Sequence, residues 1–310
     1  MSGKVLILTD GKAGHENQSR AFASALGLDF DVAEVHFRGR FAKAASYLLD
    51  RLGVVSPRLL DMCGADKPAL PQYRAVIGTG SGTFYAAKAL AERLGAKCGV
   101  VLYPRGYRLS GFDCILAPSF DGPAKLANVV EMPANLVAND AAFYERGVES
   151  FRERYSGATD HLVGVIVGGP NKCSSMTAGW MKGRLDEIFA ANKGAQLCVT
   201  TSRRTPPDVE ALVDSYPWTY KLIYSRDRFN PIPAFVRLAR RLYVTAESTG
   251  MLSEACTFGT AEVVALDNLK PGPHKFRRFV ENLTAEGYVG GNRKVDLSAQ
   301  FARARELMGV

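Results

Sequence analysis

Six polar side chains crowd the stretch after the first apolar run, residues 5–8. Asp10, Lys12, His15, Glu16, Asn17 and Gln18 lie within nine residues. An imidazole titrates near neutral pH and can take the proton of a hydroxyl that is otherwise a poor nucleophile. His15 is therefore a candidate general base. Glu16 is a candidate to orient it or to act as the base itself, and Asp10 is a third group able to take that role. The same residues also suit a polar surface turn in which His15 only hydrogen-bonds the loop backbone.

A second group lies far along the chain. Residues 242–244 are apolar and Thr245 follows; Ser248, Thr249 and Gly250 break the run, and a helical pattern from Met251 ends at Gly259. A strand that enters a helix through small hydroxyl residues leaves free backbone N–H groups, and these with the helix dipole favour a phosphate. Glu254, about one and a half turns into that helix, can accept two hydrogen bonds from ribose hydroxyls; a solvated glutamate on an ordinary strand–helix unit is the alternative. Arg203 and Arg204 close another apolar run. Guanidinium groups bind phosphate oxygens bidentately, although exposed arginine pairs also occur without a ligand.

Groups so far apart need a scaffold that gathers strand ends. Apolar runs at 5–8, 32–37, 75–77, 99–103, 112–121 and 129–133 alternate with helical stretches at 19–26, 41–52 and 85–94. A second series, at 163–167, 197–201, 222–224, 242–244 and 263–266, alternates with helices from 178, at 231–240, 251–259 and 272–287. Such alternation implies parallel sheets, and their ligands bind at the carboxyl ends of the strands. The expected fold is α/β, with two Rossmann-like parallel-sheet domains facing across a cleft. Residues 1–156 form the first and 157–290 the second, with a linker at 156–160 and a terminal helix, 298–308, that packs back on the first. The glycines within 78–83 let a ligand or a neighbouring loop approach the backbone closely.

Composition narrows the partners. The 310 residues are 47% hydrophobic and 23% charged with a net charge of +8, which suits a globular protein that attracts anions. Aromatic residues do not interleave with Arg and Lys as in an RNA-binding sheet, so nucleic acid is not expected. Cysteines 63, 98, 114, 173, 198 and 256 form no C-x-x-C pair and read as small buried residues of a reducing cytosol. No apolar run is long enough to span a membrane, and no signal peptide is visible, so a cytoplasmic place is expected. Residues 38–52 are amphipathic: Phe41, Ala45, Leu48 and Leu52 make one stripe, while Arg40, Lys43 and Arg51 are basic. This stripe either covers the sheet or rests peripherally on the anionic inner face of a membrane.

Several blocks carry a resemblance. They are Thr-Asp-Gly-Lys-Ala-Gly-His-Glu-Asn-Gln at 9–18, Gly78-Thr-Gly80, Phe112-Asp113 with Pro118 and Asp121, Gly168-Gly-Pro170, Thr201-Ser-Arg-Arg-Thr-Pro206 and residues 245–255. Together they resemble the mitochondrial-fission "elongated mitochondria" family and its bacterial relatives, from the first strand to Phe279. That family is similar to GT-B glycosyltransferases that build peptidoglycan precursors. The likeness matches Gly11 to His15 with a glycine-rich loop ending in His, and Gly168-Gly169 with a Gly-Gly loop opening the second domain. It matches Ser248, Thr249 and Glu254 with a nucleotide-holding helix start. The chain departs from the pattern at Phe120, where the family carries His, at Ala261 for Pro, and at Gly290-Gly291 for Arg-Pro.

The resemblance implies a metal-independent glycosyltransferase that needs no cofactor and uses a nucleotide-diphosphate sugar, uridine-linked by preference. Gly168, Gly169, Ser248 and Thr249 would hold the diphosphate, and Arg203 or Arg204 would offset charge on the leaving group. The acceptor is open, a lipid-linked one included. Two other readings stand beside it: a nucleotide-sugar epimerase on the same architecture, and a non-catalytic scaffold of the fission-related family.

Overall fold

The computed structural model describes residues 3–63 and 73–310. The chain divides into two compact units, Met1–Ala138 with Leu297–Val310, and Asn139–Asp296.

In the first unit, β1 (Lys4–Thr9) lies between β2 (Phe30–Phe37) and β4 (Tyr73–Thr79). Among the described residues the sheet has seven strands in the order β3-β2-β1-β4-β5-β6-β7, where β3 is Leu60–Cys63, β5 Lys97–Val101, β6 Cys114–Pro118 and β7 Val129–Met132. All pairings are parallel except β2 with β3, an edge strand that the sequence pattern did not disclose. Val5, Leu6, Ile7 and Leu8 are fully buried because helices cover both faces of a parallel sheet. The helices are α1 (Ala13–Leu26), α2 (Ala42–Arg51), α3 (Phe84–Leu94) and the terminal α10 (Ser298–Met308). Gly99 leaves room for Phe22 and for Met308 of α10, and Arg303 and Arg305 donate to the carbonyls of Ala127 and Ala25.

The second unit has five strands among the described residues, all parallel, in the order β10-β9-β8-β11-β12. These are β8 (Leu162–Ile166), β9 (Gln196–Thr200), β10 (Tyr220–Leu222), β11 (Arg241–Thr245) and β12 (Glu262–Leu266). Helices α5 (Ala178–Ala191), α6 (Pro207–Ser215), α7 (Ile232–Leu238), α8 (Thr249–Phe258) and α9 (Lys275–Ala285) connect and cover them.

Three expectations change. The division falls at Ala138/Asn139, because α4 (Ala141–Arg154) packs into the second unit. Its buried stripe of Tyr144, Val148 and Phe151 meets that unit's core: Phe151 stands edge-on to Phe235 at 5.7 Å, and Gly147 presses on Pro233. The second unit also runs on to Asp296, since the Gly290 and Val295 N–H groups donate to Val263 and Cys256. Finally, the Phe41, Leu48 and Leu52 stripe of α2 does not cover the sheet: these side chains are 76%, 61% and 69% exposed, and Ala42, Ser46 and Asp50 face inward instead.

The cysteines at 98, 114, 198 and 256 are buried free thiols, and Cys173 is half-buried and free. The burial of Cys63 lies outside the described residues. No helix among those described is long and apolar enough to cross a membrane.

Candidate functional site

In each unit the first strand sits inside the sheet, and the chain leaves it towards opposite edges. The crevice at the carboxyl end of such a strand is where open α/β sheets take their ligands. The candidate residues of both units collect at these two points.

In the first unit the helix after β1 begins at Ala13, so His15 and Glu16 stand on its first turn and not in a loop. Asp10 is nearly buried. It accepts from His15 Nδ1 at 3.0 Å, and the Lys12 ammonium pairs with its other oxygen. Burial works to raise the Asp10 pKa, but Lys12 and His15 outweigh it and hold the carboxyl below its ordinary range. A carboxylate at Nδ1 requires the proton there, which leaves Nε2 as the basic nitrogen. Gly80, at φ +81°, makes this possible, since a Cβ there would lie 2.5 Å from His15 Cε1. A Cβ on Gly82 would similarly lie 2.7 Å from Asp10 Oδ2. The glycine run of 78–83 thus serves a neighbouring loop. A buried hydrogen bond of 2.7 Å between Ser19 and Thr79 ties α1 to the end of β4. Glu16 does not join the pair: it accepts from Arg20 at 2.7 and 2.9 Å, one turn along α1. Asp10 is therefore the orienting partner of His15.

In the second unit the loops after β8, β9, β11 and β12 meet around Glu247, a residue not among the expected site residues and only 3% exposed. Its Oε1 accepts from the Gly169 N–H at 2.8 Å and from the Thr245 and Ser248 hydroxyls at 3.1 Å each; Oε2 accepts from Asn268 Nδ2 at 2.8 Å. The Gly168 N–H donates to Thr245 Oγ1 at 2.8 Å. Both expected diphosphate donors, Gly168 and Gly169, are therefore engaged within the protein, as is the Ser248 hydroxyl. These glycines admit close packing instead: a Cβ on Gly168 would collide with Glu247, and one on Gly169 with the Arg204 backbone. The Thr205 hydroxyl completes the junction by donating to the Gly168 carbonyl at 2.6 Å.

What remains open is the start of α8. Ser248 is its N-cap without a side-chain capping bond, and Thr249, Gly250 and Met251 are its first three residues. An α-helix leaves such N–H groups without intrahelical partners. Arg203 and Arg204 are exposed on the loop after β9. Glu254 is not a freely solvated side chain. Its Oε1 accepts from the buried Tyr144 hydroxyl at 3.0 Å and from Asn139 Nδ2 at 3.5 Å, and burial raises its pKa against both hydrogen bonds. Tyr144 itself stacks on Phe258 at 4.9 Å. Phe120 is buried at the end of β6 and has no group able to bind a proton. Among the described residues no cluster of three or more His, Cys, Asp or Glu is arranged to hold a metal ion.

The family model for mitochondrial fission ELM1 matches residues 13–300. The chain belongs to the mitochondrial fission ELM1 family. No curated protein sequence matches it. Among solved structures this ELM1-family chain is similar to the UDP-GlcNAc 2-epimerase of Neisseria meningitidis bound to UDP-GlcNAc. The TM-score is 0.56 and the identity 11%, over 99% of this chain and 98% of that one. A putative UDP-N-acetylglucosamine 2-epimerase from Listeria monocytogenes gives TM-score 0.55 at 12% identity, over 99% and 91% of the two chains. Arabidopsis thaliana UGT89C1 complexed with UDP-L-rhamnose gives 0.52 at 10%, over 99% and 89%. The fold shared with these proteins is GT-B.

Of the ELM1-family chain's candidate site residues, Glu247, Asn268 and Tyr144 are not singled out by the sequence, whereas the glycines within 78–83 are. Glu247 had a local signal, an acid beside the small hydroxyls that end a buried strand. The others act through contacts with residues distant in the chain, which spacing does not encode.

Proposed function

We propose that the chain is a metal-independent glycosyltransferase that uses a nucleotide-diphosphate sugar, uridine-linked. The observation that carries this reading is the Asp10–His15 pair, whose Nε2 is left as a base. In the proposed reaction Nε2 takes the acceptor hydroxyl proton as its oxygen attacks the anomeric carbon. The bond from that carbon to the diphosphate oxygen breaks, and the nucleoside diphosphate leaves with the electron pair. The second unit takes the donor, with the diphosphate on the α8 start, ribose on Glu254, and Arg203 or Arg204 offsetting the leaving-group charge.

The exposed face of α2 supports a reading of the acceptor class. Phe41, Leu48, Leu52 and Val54 are exposed beside Arg40, Lys43 and Arg51. Asp50, the acid within 38–52, is buried and bonded to Lys88. A segment that exposes an apolar stripe and basic residues while its own acid is buried suits an anionic membrane at the cytoplasmic face, and with it a lipid-linked acceptor.

Calorimetric titration with nucleoside diphosphates tests the donor site: UDP binds, and absence of binding by any of them at millimolar concentration removes the reading. Incubation of UDP-sugars without an acceptor separates the classes, since turnover there favours an epimerase. Partner binding that survives loss of both His15 and Glu254 favours a scaffold. Cosedimentation with phosphatidylglycerol vesicles, abolished by Leu48→Glu, tests the membrane face.

A further inference from the structure

Three strand ends of the second unit converge on one carboxylate that has no cation among its hydrogen-bonding partners. Glu247 accepts four hydrogen bonds, all from neutral donors: a backbone N–H of the glycine loop, the hydroxyls of Thr245 and Ser248, and the carboxamide of Asn268. This is the set of donors that a phosphate would otherwise recruit at a glycine loop and a helix start. The anion is thus supplied by the chain itself.

Resting on the nucleotide-binding reading above, we propose that Glu247 is a positioning residue. It locks the Gly168-Gly169 loop to the start of α8, so that a nucleoside diphosphate is received by the N–H groups of Thr249, Gly250 and Met251 and not by the glycine pair. Its buried charge lies two residues before the first of those groups and opposes the anion they receive. The residue that builds the site therefore also limits its affinity, which favours release of the nucleoside diphosphate.

Asn268 provides a clean test. It is buried, and its Oδ1 has no hydrogen-bond partner among the described residues. In Glu247→Gln the new Oε1 can keep the three donors that now share one oxygen. The new Nε2 then faces Asn268, whose carboxamide can turn over and offer that idle Oδ1. The charge is lost while the junction stays. Glu247→Ala instead removes the acceptor and strands the Gly169 N–H.

UDP is titrated into the wild type and both variants by calorimetry, and amide exchange at Gly169 is followed by NMR. Glu247→Gln tightens UDP binding by roughly three- to tenfold, because a nearby like charge is removed at protein-like dielectric. Glu247→Ala weakens binding by roughly tenfold or more, speeds exchange at Gly169 and lowers Tm. Unchanged or weaker binding by a folded Glu247→Gln overturns the proposal. If that variant does not fold, the wild type still decides: UDP must move the Thr249, Gly250 and Met251 amide resonances most, and largest shifts at Gly168 and Gly169 overturn it. If the wild type binds no nucleotide, the donor-site reading has failed by itself. The locking role is then judged by Gly169 exchange, slow in the wild type and in Glu247→Gln and fast in Glu247→Ala; equal exchange in all three overturns it.

Discussion

The carboxylates singled out in the two units are held by opposite electrostatics. In the first unit, carboxylates come with cations: Asp10 with Lys12 and His15, and Asp50 with Lys88 at 2.6 Å. In the second unit, Glu247 and Glu254 accept only from neutral donors in the bonds that hold them. The consequence shows in proton affinity. Asp10 is held below the ordinary carboxylate range, so its contribution to stability is present above the unfolded value of 3.8 and lost as pH falls through the lower folded one. Glu254 is pushed upward, so the folded state gains as pH falls through its raised value and loses as pH rises above it. A paired carboxylate can steer a base through a proton transfer. A carboxylate held by neutral dipoles is better suited to shape backbone and read hydroxyl groups.

The largest expected effect breaks the comparison at His15. On the proposed reading, His15→Ala lowers kcat by about 10²–10⁴-fold and leaves UDP affinity nearly unchanged. Asp10→Asn falls in the same direction, because the amide no longer demands the Nδ1–H tautomer. Steady-state rates with calorimetry on the same samples check both. Wild-type turnover by His15→Ala would move the base elsewhere, and lost UDP affinity would place the imidazole at the donor.

Next comes the buried pair that holds α2. Lys88 donates to Asp50 and to the Arg108 carbonyl, each at 2.6 Å, and its ammonium lies 4.3 Å from the Phe112 ring centroid. Lys88→Met leaves a buried, charged Asp50 without its cation, the Arg108 N–H still donating to its other oxygen, and should cost about 3–5 kcal/mol. Removing both charges, in Lys88→Met with Asp50→Asn, should recover most of that. Urea unfolding measures it, and a single variant within 1 kcal/mol of wild type (about one unit of net hydrogen bonding) would show that the pair is not closed in solution.

Much of this was legible in the sequence. Apolar runs of parallel-sheet type located eleven of the strands, and polar residues just beyond them marked both crevices. The His15 and Glu254 regions were found because a buried strand followed by glycine or small hydroxyls is a local pattern. Which distant residues meet was not legible, since Asp10 with Gly82 and Gly169 with Glu247 are joined only by folding. The α1 start was misplaced because Ala13-Gly14 lacks a strong N-cap residue, and Lys12 makes no side-chain capping bond. The α2 stripe was ambiguous because amphipathicity states a periodicity and not which side meets the core.

A smaller change sharpens the second unit's side of the comparison. Tyr144→Phe removes a hydrogen bond to a charged acceptor and should cost about 1.5–3 kcal/mol near neutral pH. The Tyr144 bond works to lower the Glu254 pKa, so without it the folded value rises further. Arg237, which is bonded to Glu145 at 3.0 Å, is the cation that acts on Tyr144, and it remains in the variant. The penalty should therefore shrink as pH is lowered from 8 to 5. Melting temperatures of both proteins across that range provide the check, and a penalty independent of pH would mean that Glu254 does not titrate against this bond.

The smallest effect concerns strain, which the first unit carries beside its crevice. Leu102 is the non-glycine residue at positive φ among those described, +74°, and no such residue lies in the second unit. It follows β5 directly. The Val101 carbonyl accepts from the Gly80 N–H at 3.3 Å, and the Leu102 N–H donates to Leu116 at 2.9 Å, so the peptide that precedes Leu102 is held at both ends by neighbours. A left-handed conformation costs an L-residue about 1–2 kcal/mol, and glycine escapes that cost. In an ordinary strand alanine is more stable than glycine by about 0.5–1 kcal/mol. At position 102 the order should reverse, with Leu102→Gly more stable than Leu102→Ala by about 1 kcal/mol. Both variants lose the same leucine packing against the first unit's core, so their difference isolates the backbone. Chemical denaturation of the pair measures it. Alanine found more stable than glycine would show that Leu102 relaxes out of this conformation in solution, and that the crevice edge beside Gly80 is not held under strain.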